Sequence, residues 1–317
     1  MGNIYGNNLC CKGSFMLSQC ELEIKDNIYM INSVEDDERV KQMNFDISNI
    51  KEITPISGIF DSSYKDISVE RSRIQKLEKA IYYAKVLSII VLNPDINQKT
   101  ILINALGAES ALRSAKDGFT YFGAKKRDSP QGSIINDITL PFVNPELAKN
   151  YRGKHFQISY DLSRDVYYIK DLKLGFGTYF KLTDSIELKN SMLFLLGDTF
   201  ILVSFIALKS EASRIRLKIY GKGTGDVFYF NASDYSENYI TLGRQESCEV
   251  KLTGNLVSKV HCTIFYTPEK GWILIDGDVK TNQPSTNGTW IYMGDNMEIY
   301  DSMIFKSGRV MFKVTIL

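Results

Sequence analysis

Residues 177–205 read GTYFKLTDSIELKNSMLFLLGDTFILVSF, and residues 288–316 read GTWIYMGDNMEIYDSMIFKSGRVMFKVTI. The two lie on one another without a gap. Gly177 and Gly288, Thr178 and Thr289, Asp184 and Asp295, Glu187 and Glu298 coincide, as do Ser191 and Ser302, Met192 and Met303, Phe194 and Phe305, Gly197 and Gly308. Upstream, His155-x-x-Ile158-x-Tyr160 matches His261-x-x-Ile264-x-Tyr266, so both histidines of the chain fall at one repeat position. The runs 215–220, 227–232 and 239–244 mirror 86–92, 99–105 and 119–125, down to a shared Asn-Ala at Asn104-Ala105 and Asn231-Ala232. The sequence thus holds two copies of one β domain of ~100 residues, a normal size for a sandwich. We place them at 86–208 and 213–317.

Between these runs stand turn residues, such as Asn93-Pro94-Asp95, and further short strands are expected at 134–140, 156–160, 166–170 and 179–182. Regular short strands without intervening helices imply an all-β chain of two tandem sandwiches, each burying one face of each sheet. The longest apolar stretch, 192–208, is broken by Gly197-Asp198-Thr199 and reads as two strands and a turn, not as the ~20-residue span a membrane helix needs.

Composition narrows the function classes. The 317 residues carry 38 Lys+Arg against 37 Asp+Glu, for a net charge of +1, which argues against a nonspecific nucleic-acid binder living on phosphate neutralisation. Two histidines in all leave no room for a histidine-rich metal site. The five cysteines, Cys10, Cys11, Cys20, Cys248 and Cys262, include no CxxC pair and suit reduced thiols in a cytosolic protein. No metal or cofactor is expected.

Ahead of the sandwiches lie an N-terminal extension, 1–66, and an amphipathic helix, 67–85. Ser68 suits a cap, Glu70 the first turn, and Ile74, Leu77, Ile81 and Ala84 share one face. Such a helix is marginal alone and is expected to pack on the domain that follows. The start lacks the apolar core of a secretory signal. Met1-Gly2-Asn3 followed by Cys10-Cys11-Lys12 instead resembles an N-myristoylated and palmitoylated terminus, with Gly6 standing where Ser or Thr is preferred. Two chains matter because one myristoyl group binds a bilayer only marginally, at about 10⁴ M⁻¹.

In the second copy, Gly243-Arg244, Ser258-x-x-His261 and Ser285-Thr286-Asn287-Gly288-Thr289 follow in order at strand ends and in loops. This ordered set on an all-β background resembles the forkhead-associated (FHA) domain, a β-sandwich that reads phosphothreonine through loops at one end. The residue types suit that chemistry. A phosphorylated side chain brings about −1.5 to −2 charges and three acceptor oxygens. Arg244 can donate two parallel bonds, Ser258 and Thr286 add hydroxyls, and Asn287 has both donor and acceptor for clamping an extended peptide backbone. The resemblance implies that Lys259 also touches ligand, while Gly243, His261, Gly288 and Thr289 shape and brace the loops. It further implies, through Leu256, an uncharged ligand side chain three residues after the phosphothreonine. The spacer 277–284 is longer than the two residues usual in the family, which bears on how the loop carrying Thr286 and Asn287 sits.

The first copy keeps Gly123, His155, Gly177 and Thr178 but has Ala124 where the arginine falls, Arg152 for the serine, and Gly175-Phe176 for Thr-Asn. Losing several charge-assisted bonds at ~1.5–3 kcal/mol each would abolish micromolar binding. Arg152 with Lys125, Lys126 and Arg127 leaves some positive charge, which reads as a solvated basic loop or a divergent anion site. A histidine that persists where ligand contacts are gone is a brace, and Ser258 with His261 lacks the orienting group and oxyanion hole of a nucleophilic enzyme. The expected function is a non-enzymatic adaptor for a threonine-phosphorylated protein, cytoplasmic and held at a membrane by acyl chains on Gly2, Cys10 and Cys11. The alternative is a phosphorylation-independent subunit of a large cytoskeletal or ciliary assembly.

Overall fold

The computed structural model describes residues 67–92, 100–140, 153–173, 177–206, 214–221, 225–235 and 238–317. It opens with one helix, α1 (Ile67–Ala80), whose Glu70 and Lys79 complement the dipole at its two ends. The first half then lays down β1 (Leu87–Val91), β2 (Thr100–Asn104), β3 (Gly107–Ala108), β4 (Phe119–Gly123), β5 (Ile138–Thr139), β6 (Lys154–Asp161), β7 (Val166–Asp171), β8 (Thr178–Lys181), β9 (Ile186–Glu187), β10 (Leu193–Leu196) and β11 (Thr199–Ile206). The second half contributes β12 (Arg214–Tyr220), β13 (Val227–Asn231), β14 (Ile240–Gly243), β15 (Val250–Lys251), β16 (Cys262–Thr267), β17 (Gly271–Asp276), β18 (Thr289–Tyr292), β19 (Met297–Glu298), β20 (Ile304–Ser307) and β21 (Val310–Ile316). The fold is all-β, as the strand pattern predicts.

The helix is shorter than the expected 67–85. Leu77 and Ala80 are its buried residues, whereas Ile81 is exposed. The chain has to leave the helix in time for Leu87 to enter the sheet opposite Ile316. Docking is local. Leu77 lies so close to Gly118 (φ 80°) that a β-carbon there would meet its Cδ1 at 2.7 Å, and the Arg73 guanidinium donates to Asp117 O at 2.6 Å.

The pairing of the strands departs from the sequence repeat. Two five-stranded sheets have the orders β5-β4-β6-β7-β19 and β15-β14-β16-β17-β9. In each, the last strand belongs to the other half: Met297 pairs with Ile169, and Glu187 with Ile273. An eleven-stranded sheet runs β13-β12-β11-β10-β18-β8-β20-β21-β1-β2-β3. Here too β10 and β11 of the first half sit between β12 and β18 of the second, and β20 and β21 sit between β8 and β1. The expected units 86–208 and 213–317 therefore do not close on themselves: each sandwich is finished by the last three strands of the other half.

A strand has two edges, and that explains the exchange. Residues 207–213 are all that separate β11 from β12, and neighbouring antiparallel strands joined so briefly pair as a hairpin. They do so over seven register pairs, from Phe200 with Tyr220 to Ile206 with Arg214. With β10 on its other edge, β11 is unavailable to β1, which takes β21 instead. At the centre, β8 and β18 run antiparallel with Tyr179 opposite Tyr292, Phe180 opposite Ile291 and Lys181 opposite Trp290. Each of these is paired across a pseudo-two-fold that relates the halves, as in a self-complementary dimer interface. Backbone angles repeat as well: φ is 63° at both Ser191 and Ser302, 62° at Gly197 and 59° at Gly308.

The core follows the exchange. Phe122 and Phe156 stack at 4.4 Å, Phe305 and Phe312 at 4.7 Å, and Phe156 meets Phe305 and Phe312 edge-on at 5.6 and 5.9 Å. All four rings are fully buried. Two come from each half, so the aromatic core of the first sandwich is completed by the C-terminal strands of the chain. Central strands such as β10 are buried on both faces, because Tyr179, Leu193, Leu195, Trp290 and Tyr292 join a second apolar cluster. No helix among the described residues is long and apolar enough to cross a membrane.

Candidate functional site at the end of the second sandwich

Three loops meet at one end of the sandwich built on β14–β18. β14 ends at Gly243, where a β-carbon would stand 2.1 Å from Lys259 O, so only glycine permits the approach. Next to it, Arg244 N–H donates to Ser258 O at 3.0 Å and Gln245 N–H to Lys259 O at 3.1 Å. The arginine loop and the serine loop are thereby zipped together. His261 ties them to the third loop: its Nδ1 accepts from Ser258 N–H at 3.0 Å, leaving Nε2–H to donate to Gly288 O at 3.1 Å. That bridge needs a neutral ring, and burial pushes the His261 pKa below its ordinary value.

The third loop hangs on Asp276, at the end of β17. Its carboxylate accepts from Ser285 N–H at 3.0 Å, Ser285 Oγ at 2.7 Å and Thr289 Oγ1 at 2.7 Å, and Ser285 Oγ accepts from Gly288 N–H at 2.9 Å. Residues 278–283 close on themselves, with Asp278 and Gln283 exchanging backbone bonds of 2.9 and 3.2 Å. Asp278 also caps the finger, accepting from Lys280 N–H and Thr281 Oγ1. The extra length is thus pinched off, and Thr286 and Asn287 return to the serine loop. Thr286 N–H donates to Ser258 Oγ at 3.0 Å, with the two hydroxyl oxygens 3.4 Å apart. Asn287 Nδ2 donates to Leu256 O at 2.8 Å while its own carbonyl accepts from Trp290 Nε1 at 2.9 Å.

The outcome is a sharp division by exposure. Arg244, Lys259, Thr286 and Asn287 are exposed and Ser258 is half-buried, whereas Gly243, His261, Gly288 and Thr289 are buried. Among the described residues no carboxylate pairs with Arg244 or Lys259. Two cations, two hydroxyls and an amide thus share an open surface suited to a multiply charged anion on an extended chain. Sequence reasoning missed Asp276, Ser285 and Trp290 as braces. Asp171 repeats the role of Asp276, accepting from Thr178 Oγ1 at 2.7 Å. That signal was hidden because Asp171 and Asp276 lie upstream of the gapless match, with six more residues between Asp276 and Thr289 than between Asp171 and Thr178.

At the corresponding end of the first sandwich the frame persists. A β-carbon on Gly123 would meet Gly153 O at 1.7 Å, and Ala124 N–H donates to the same oxygen at 2.8 Å. His155 is buried, and burial lowers its pKa to about 4. No guanidinium projects from Ala124. Arg152, Gly175 and Phe176 lie outside the described residues, as do Gly2, Cys10 and Cys11.

Fold and site together define a β-sandwich recognition module with its polar residues on end loops. Residues 240–310 match the family model described as FHA domain, so the chain carries an FHA domain in its C-terminal part. Solved structures similar to the chain include an FHA domain from a structural and functional analysis of phosphothreonine-dependent FHA domain interactions, 17% identical, with 30% of this chain and 90% of that one covered at a TM-score of 0.15. Mycobacterium tuberculosis Rv1747 FHA-1 is 19% identical over 29% of this chain and 90% of that one, TM-score 0.15. The Rv0020c FHA structure is 17% identical over 34% and 97%, TM-score 0.17. No curated protein matches the chain.

Proposed function

We propose that this protein is a phosphothreonine-dependent adaptor that captures a phosphorylated partner on the loops of its FHA domain. One observation carries the reading: the exposed Arg244, with no carboxylate partner among the described residues, is held by its own backbone against Ser258, whose hydroxyl already orients Thr286. In that reading Arg244 and Lys259 neutralise the phosphate, Ser258 and Thr286 donate to it, and Asn287 grips the peptide backbone beside it. No group in this set activates a nucleophile, since both nitrogens of His261 are spent on backbone atoms. The role is recruitment, not turnover. The first sandwich, with Ala124 in the arginine position, takes no part in reading phosphate.

A phosphothreonine peptide library applied to the intact chain tests this directly, with Arg244→Ala and Ser258→Ala as comparisons. Binding that survives Arg244→Ala unchanged, or no phosphopeptide binding at all, overturns it. Acylation of Gly2 and Cys10 or Cys11, placing the adaptor on the cytoplasmic face of a membrane, is a separable part of the proposal. Intact mass of protein from its own cells should show loss of Met1 and an added acyl chain, and Gly2→Ala should move it to the soluble fraction.

A further inference from the structure

The strand exchange places residues of the first half against the loops that the proposed function assigns to the ligand. Gly197, in the β10–β11 turn, sits under Leu256: a β-carbon there would lie 2.9 Å from Leu256 Cβ and 3.2 Å from Leu256 O. That same carbonyl is the one Asn287 holds through its amide. The next residue, Asp198, reaches Gly254, where Oδ1 would stand 3.0 Å from a β-carbon. On the other flank, the stem of Lys181 from β8 runs along Gly288, with Cε 2.6 Å from the site of a β-carbon. Lys181 is also the register partner of Trp290, whose indole fixes the Asn287 carbonyl. Asn287 is therefore held at two atoms, and each holder leans on the first half.

We propose that the phosphopeptide site is composite: Gly197, Asp198 and Lys181 of the first half are positioning residues for Asn287 and Leu256 of the second. This rests on the proposed function and adds to it which residues set the groove beyond the phosphate. It also gives the first half a role that needs no ligand of its own. Its Arg244 counterpart is gone, yet its β8–β11 segment builds one flank of the other site. The peptide positions affected are those that run past Leu256.

The test uses the full chain with Gly197→Ala, and Gly308→Ala as the matched control. Both turns have similar backbone geometry, with φ of 62° and 59°, so both substitutions carry the same backbone strain. Gly197 lies against Leu256 of the proposed site, whereas Gly308 turns between β20 and β21, which pair with β8 and β1. Gly197→Ala is expected to weaken binding of the best phosphothreonine peptide about tenfold and to change residue preference downstream of the phosphothreonine across a library. Gly308→Ala is expected to leave both within about twofold of the parent, since a strained turn remote from the site alters stability and not selectivity. Equal losses in the two variants, or an unchanged preference with Gly197→Ala, overturn the composite site. Asp198→Ala, which introduces no backbone strain, should show the same altered preference, and its failure to do so counts equally against the proposal. A parent chain that binds no phosphopeptide would instead refute the proposed function itself.

Discussion

The two sandwich ends share a frame and differ in what they present to solvent. Gly123 and Gly243 allow the same close approach of a neighbouring carbonyl, His155 and His261 are both buried, and Asp171 and Asp276 both hold a threonine hydroxyl at 2.7 Å. At the mouth, a half-buried Ala124 stands where the second end has the exposed Arg244. Frame residues and ligand residues are thus under separate physical demands. The frame is fixed by packing and by the need to satisfy buried polar groups, whichever peptide is bound. The mouth answers only to the ligand. A frame that outlives its ligand residues has another use here, because the halves complete each other's sheets.

The comparison breaks most severely in the shared aromatic core. Phe156→Ala removes a ring that touches two aromatics from the other half, and should cost about 3–5 kcal/mol. Because those partners lie on β20 and β21, denaturant melts followed by tryptophan emission should still show one transition for the whole molecule, at a lower midpoint. Two separate transitions would mean that each half folds alone. The histidines give the next effect. In the native state His155 stays neutral down to a pKa of about 4, while in the unfolded chain it takes up a proton near 6.5. The unfolded state therefore binds more protons in that window, and stability present above pH 6.5 is lost as pH falls towards 4. For a shift of this size the loss is about 3 kcal/mol. Urea midpoints at pH 7 and pH 4.5 should differ markedly in the parent, and less in His155→Asn.

Much of this was legible in the sequence. The gapless match of 177–205 with 288–316 located the strands, and the spacing Ser258-x-x-His261 singled out a serine and histidine that do share a hydrogen bond. The pairing of the halves was not legible. A repeat specifies which faces of which strands are apolar, and those faces are satisfied equally by a strand from either copy. The deciding quantity is the length of 207–213, a topological constraint that leaves no mark in strand patterning. Asp276 escaped for a different reason: an acidic residue at a strand end reads as surface, and only its three bonds show it to be a brace. The helix was over-extended because Ile81 and Ala84 continue the apolar period while the sheet register, invisible from sequence, ends it at Ala80.

At the mouth itself, Arg244→Ala should weaken phosphothreonine peptide binding by about ten- to a hundred-and-fifty-fold, the worth of a charge-assisted bond at ~1.5–3 kcal/mol. The folded state should keep its midpoint, because the side chain is exposed and bonds nothing among the described residues. The converse variant, Ala124→Arg, should gain no measurable affinity for the same peptides, since a guanidinium alone lacks the hydroxyl and amide partners that stand beside Arg244. Both are read by fluorescence anisotropy with a labelled peptide. If Ala124→Arg creates a second site, then frame and mouth are less separable than the two ends suggest.

The finger 278–283 supplies the smallest expected effect. It bonds chiefly to itself, through the paired backbones of Asp278 and Gln283, and leaves the Asp276–Ser285 anchor to position Thr286 and Asn287. Shortening a surface loop changes closure entropy by only about 0.6 kcal/mol per halving of length. Replacing 279–282 with a two-residue turn should therefore leave peptide affinity within about twofold and the thermal midpoint nearly unchanged. A large loss of affinity in that variant would show that the finger itself touches ligand. The second end would then differ from the first by an added recognition element as well as by Arg244, Ser258, Thr286 and Asn287.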